Sequence, residues 1–149
     1  MTTHSSAFRM PPAHLAERLV AEHSLDPDWL DEFSVALDRR RQGKALERIL
    51  EVWGLSQSEA GRLLGVSRQA VAKWITGGIP VDRIEPIASL AAATDLLVHY
   101  LRRDRIAAVV RRPIVSRENL SLVELLAQER YQEVLDTCRE MFDFAAVNL

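Results

Sequence analysis

All six glycines of this 149-residue chain fall between Gly43 and Gly78, and elsewhere only prolines interrupt the apolar pattern. Nowhere do apolar and polar residues alternate over the roughly four to eight positions that a half-buried strand needs. Apolar residues instead recur at spacings of three and four, the period of a helix with one buried face. The expected fold is therefore all-α, with short helices and tight turns confined to the glycine window.

Within that window Gly43 is expected to break the chain before a helix over Ala45–Trp53, whose apolar face carries Leu46, Ile49, Leu50 and Trp53. Gly54 ends it. Ser56-Gln57-Ser58-Glu59 then has the form of a capping box, and the helix it opens closes at Leu64-Gly65. Ser67 caps a second short helix reaching about Ile75, which Thr76-Gly77-Gly78-Ile79-Pro80 closes. Glycine inside a helix costs about 1 kcal/mol against alanine, so Gly61 predicts close packing against the second helix. Gly65 suits a turn with positive φ. Ala60, Leu64, Val66, Val71 and Trp74 are assigned to the inward faces, which leaves Arg68, Gln69, Ala72 and Lys73 facing outward at the start of the second helix.

The flanks are simpler. Residues 1–10 read as an irregular start. Pro12 opens a helix to about His23 with Leu15, Leu19 and Val20 on one side. Asp26-Pro27 opens another, carrying Trp29, Leu30, Phe33 and Leu37 and running out at Arg39-Arg40-Arg41. After the window, Asp82 is the expected cap of a long helix bearing Ile84, Ile87, Leu90, Leu97 and Tyr100, with Pro86 tolerated in its first turn. A short helix with Ile106, Val109 and Val110 stops at Pro113. Ser121-Leu122-Val123-Glu124 is a second capping box, opening two helices or one bent one. Met141, Phe142, Phe144, Val147 and Leu149 either fold back as core or dock on a partner. The chain divides on this basis into an N-terminal helical extension (1–41), a central two-short-helix domain (42–100) and a small C-terminal helical domain (101–149).

Charge follows the same division. The net of −2 conceals −5 over residues 1–38, +8 over 39–117 and −5 over 118–149. A basic centre between acidic ends suggests a polyanion-binding module with flanks of another purpose. Other chemistry lacks residues. The histidines (His4, His14, His23, His99) and the single Cys138 have no ligand spacing, so no metal is expected, and no phosphate loop or nucleophile elbow is present. No catalytic residue and no cofactor is implied, and the protein is not expected to be an enzyme. A lone cysteine, no apolar run of about 18 residues and no signal-like start predict a cytoplasmic protein without membrane contact.

The stretch Gln57–Trp74, with Gly61, Gly65 and the apolar set Ala60, Leu64, Val66, Val71 and Trp74, resembles the helix-turn-helix of the Xre and phage-repressor family. Gly77-Gly78-Ile79-Pro80 and the helix with Ile84, Ile87 and Leu90 resemble that family's continuation. The resemblance implies sequence-specific binding of double-stranded DNA. Gln57 and Ser58 would meet backbone phosphate, and Ser67, Arg68, Gln69, Ala72 and Lys73 would lie along the groove. Arg suits guanine and Gln suits adenine through paired hydrogen bonds, and the first residues of the second helix are those that reach base edges. Arg112-Pro113, the Ser121–Leu126 stretch and the helix with Val134 and Leu135 resemble, further, the toxin-binding domain of Xre/MbcA/ParS-type antitoxins. Where that family usually has a glycine pair and a proline, this chain has Asn119-Leu120-Ser121, and no glycine follows Leu126. This second resemblance implies a cognate toxin as partner, in that family often one that consumes nicotinamide dinucleotide.

Two functions remain open at this level. One is a DNA-binding transcriptional regulator, expected to be a homodimer because one recognition helix covers few base pairs, acting as a repressor and as an antitoxin that controls its own operon. The other is a protein-binding antitoxin that occludes a partner enzyme, with DNA binding secondary.

Overall fold

In the computed structural model, which describes residues 10–147 with side chains to Asp143, eight α-helices account for the regular structure. They are α1 (Pro12–Glu22), α2 (Pro27–Trp53), α3 (Gln57–Leu64), α4 (Arg68–Gly77), α5 (Ile84–Tyr100), α6 (Arg103–Val109), α7 (Leu122–Ala127) and α8 (Tyr131–Val147). The fold is all-helical, as the apolar spacing requires; the extended pairing among the described residues is a single bridge between Ile114 and Leu120. The irregular start assigned to residues 1–10 falls, but for Met10, outside the described residues, as do the side chains of Phe144, Val147 and Leu149.

The chain forms two units, the first ending at Leu37 and the second spanning Asp38–Leu149. In the first, no residue from Met10 to Leu37 is buried. Pro12 occupies the start of α1, and Asp26 accepts the Trp29 amide at 3.0 Å to begin α2. His23, Trp29 and Phe33 stack in series, with ring centres 3.5 and 5.2 Å apart.

The second unit holds the core. Its buried side chains form one cluster drawn from α2 through α8, running from Leu46 to Phe142. Helix α5 is its axis: Ile87, Leu90, Ala93 and Leu97 are essentially inaccessible, and α5 packs along α8, which contributes Val134, Leu135, Cys138 and Phe142. Trp53, fully buried, donates its indole N–H to the Thr94 hydroxyl at 3.0 Å, and Thr94 donates to the Leu90 carbonyl at 2.7 Å. A buried polar atom is tolerated only when paired, and this relay pairs both. Tyr100 and Phe142 stack 4.5 Å apart at the far end.

Three local expectations fail, each for a physical reason. Gly43 does not break the chain: α2 is continuous from Pro27 to Trp53, through Arg39-Arg40-Arg41. A Cβ at Gly43 would collide with the Trp74 carbonyl oxygen, so the glycine serves close approach of α2 to α4. The first capping box forms only in half. The Ser56 hydroxyl accepts the Glu59 amide at 3.1 Å, but the Glu59 carboxylate turns to Arg111, 3.6 Å away. Asp82 caps nothing; a 3₁₀ turn over Val81–Arg83 leads directly into α5. The second box closes fully, with Ser121 and Glu124 exchanging hydrogen bonds of 2.7 and 3.1 Å.

Candidate nucleic-acid interface

Helices α3 and α4 are joined by a three-residue turn, Gly65 to Ser67. Gly65 ends α3 at φ 68°, a left-handed conformation that costs a side-chain-bearing residue about 1 kcal/mol or more. Gly61 lies against that turn: an added Cβ would come within 2.7 Å of the Val66 carbonyl oxygen. Ser67 then accepts the Ala70 amide at 3.0 Å and starts α4. Val71 and Trp74 are buried on the inner face of α4, as Ala60 and Leu64 are on α3. Val66, expected inward, is half-buried in the turn.

With the inner face fixed, the outer one follows from helical geometry. Ser58, Ser67, Arg68, Gln69 and Lys73 are exposed, and Gln57 and Ala72 are half-buried. The five positions of α4 and its cap share one end of one helix; Gln57 and Ser58 occupy the first turn of α3. Among the described residues, Arg68, Gln69 and Lys73 make no side-chain hydrogen bond or ion pair, so their donors are available to a ligand. The amides at an α-helix N-terminus and the accompanying dipole favour an anion there, which is the electrostatic setting of both groups.

Other cations in the basic centre are already engaged. Arg39 donates through Nε to the Ile79 carbonyl at 2.6 Å, and its backbone carbonyl accepts the Ile79 amide at 3.1 Å, latching α2 to the segment after α4. Arg111 caps the end of α2, donating to the Trp53 and Gly54 carbonyls at 3.0 Å each. Arg48 pairs with Asp95. Part of the +8 therefore serves the fold, a division that charge counting does not reveal. Arg83 was equally illegible: its Nη1 donates to the Leu64 carbonyl at 3.0 Å while its guanidinium carbon lies 5.5 Å from the centre of the Trp74 ring. Tyr131, at the start of α8, carries a phenol pushed above its ordinary range by burial, an effect the neighbouring Arg83 charge opposes.

An open groove of about 440 Å³ lies along α3, lined by Leu55, Glu59, Arg62, Leu63, Arg111 and Val123. No cluster of three or more His, Cys, Asp or Glu able to hold a metal occurs among the described residues. Nor is any described helix long and apolar enough to cross a membrane.

No family model matches the chain. It is similar to a probable mycobacterial cidal antitoxin of Mycobacterium tuberculosis, 27% identical over 114 residues that make up 76% of this chain and 99% of that protein. A solved structure, the M. tuberculosis MbcT–MbcA toxin–antitoxin complex, contains a chain that superposes with a TM-score of 0.55 at 26% identity, over 66% of this chain and 91% of that one. In sequence and in fold, then, this chain is similar to proteins of toxin–antitoxin systems.

Proposed function

We propose that this protein is the antitoxin of a toxin–antitoxin pair and that it also binds double-stranded DNA as a homodimer, repressing its own operon. The likeness to a probable antitoxin, over 99% of that protein's length, supports the first half. The second half rests on one observation: Arg68, Gln69 and Lys73 stand exposed and unengaged at the start of α4, on the face opposite Val71 and Trp74. On this reading Arg68 and Gln69 reach base edges, Lys73 and Ala72 line the groove, and Gln57, Ser58 and Ser67 hold phosphate. Residues 1–41, 42–100 and 101–149 would then serve as extension, reader and partner-binding part.

A primarily protein-binding role that occludes a partner enzyme, with DNA binding secondary, is favoured by the net −5 of residues 118–149. Two experiments separate the readings. Electrophoretic shift of wild type, Arg68→Ala and Gln69→Ala on a selected duplex and on random DNA tests the DNA half; unchanged preference in both variants refutes it. Co-expression with the product of the adjacent gene tests the antitoxin half; it fails if that product is harmless alone or equally toxic with this protein present.

A further inference from the structure

The angle between α3 and α4 decides where Arg68 and Gln69 point, and one side chain outside both helices touches each of them. Leu64 is the last residue of α3, so its carbonyl has no amide partner further along the helix. Arg83 supplies a donor, at 3.0 Å. The same guanidinium lies over the Trp74 ring, on the buried face of α4. On a third side stands Tyr131, whose buried phenol feels the Arg83 charge. Arg83, half-buried, thus bridges the end of α3 and the inner face of α4 beside the start of α8.

We infer that Arg83 is a positioning residue for DNA reading, one that never meets the DNA but fixes the angle at which α4 presents Arg68 and Gln69. The chemistry requires arginine. A flat guanidinium can donate in its plane to a carbonyl and offer its face to an indole at once, which a lysine ammonium cannot. This inference rests on the DNA reading proposed above, and it extends that reading to a residue that neither motif spacing nor exposure identifies.

The test uses the full chain with Arg83→Met and Arg83→Lys. Amide hydrogen exchange in the free protein reads the positioning directly. Loss of one cation–ring contact and one carbonyl bond should speed exchange across residues 68–77 by about tenfold, with a smaller change in α5 and α8. Competition binding reads the consequence. Affinity for a selected duplex relative to random DNA should fall about tenfold in both variants. Random-DNA affinity should be nearly unchanged in Arg83→Lys, which keeps the charge, as befits a residue that makes no phosphate contact. Should Arg83→Met fail to fold, Arg83→Lys carries both arms. Exchange that rises equally throughout the unit would overturn the inference by making Arg83 a general stabiliser. Faster exchange in α4 with selectivity intact would overturn its link to reading. If the wild type itself selects no duplex, the DNA reading fails, and the exchange arm still decides whether Arg83 holds α4.

Discussion

Trp74 shows how one residue ties stability to the direction of its neighbours. Its side chain is 9% exposed and lies against the core on the inner face of α4. Trp74→Ala should destabilise the protein by about 3 to 5 kcal/mol, measured by denaturant titration; a near-neutral result would require a different rotation of α4 and would remove Arg68 and Lys73 from the outer face. Residues on that face divide by the kind of contact available to them. Replacing Arg68 or Gln69 should relax preference at one or two base pairs, by about 1 to 3 kcal/mol each. Gln57→Ala should instead weaken all sequences nearly alike, because phosphate contacts carry little sequence information. Binding-site selection on the three variants distinguishes these outcomes; a changed preference in Gln57→Ala alone would make α3 the reader.

At the scale of elements, the structure answers a question the sequence raised about the C-terminal helices. The segment before α7 lacks the glycine pair that the antitoxin resemblance expects, yet Glu118 and Asn119 adopt φ of 59° and 63°. Glu129, between α7 and α8, adopts φ 60°. The backbone takes left-handed turns at these places and fills them with residues that bear a side chain. Arg117 holds the first turn, donating to the Thr137 hydroxyl and to Glu140 at 2.8 Å each, and the Arg130–Glu133 pair flanks the second. Left-handed φ costs about 1 to 2 kcal/mol for a residue with a Cβ, while glycine loses extra backbone entropy on folding. Glu129→Gly should therefore stabilise the protein by about 0.5 to 1 kcal/mol in thermal denaturation; a loss of stability would show that the Glu129 side chain itself holds the turn. Caps and turns were legible where the signal is local: Ser56, Ser67 and Ser121 each accept the amide three residues on, and Gly54 and Gly65 take positive φ. Gly43 is ambiguous in the sequence because the same residue type marks a break or a close approach, and only the position of the Trp74 carbonyl separates them. The clamps of Arg83 and Arg111 join residues 19 and 58 positions apart, beyond the reach of any periodicity.

The whole molecule separates charge from core. If DNA binding draws on four to six phosphate contacts, affinity should fall by roughly two to three orders of magnitude between 50 and 200 mM salt; a flat response would assign the basic centre to an acidic protein partner. The core makes a prediction independent of any ligand. Every buried residue among the described ones lies from Gly43 onward, so a chain beginning at Asp38 keeps the complete cluster together with the α2 segment that supports it. Cys138 reports on that cluster. It is fully buried, and burial pushes its thiol up to about 12. Near pH 8 only roughly one molecule in ten thousand would carry the reactive thiolate, and the sulfur is shielded from any reagent besides. The chain from Asp38 should therefore resist thiol labelling as the full protein does and melt within about 4 °C of it. Labelling at the rate of an unfolded peptide would mean that residues 1–37 are needed to close the core, although none from Met10 to Leu37 is buried.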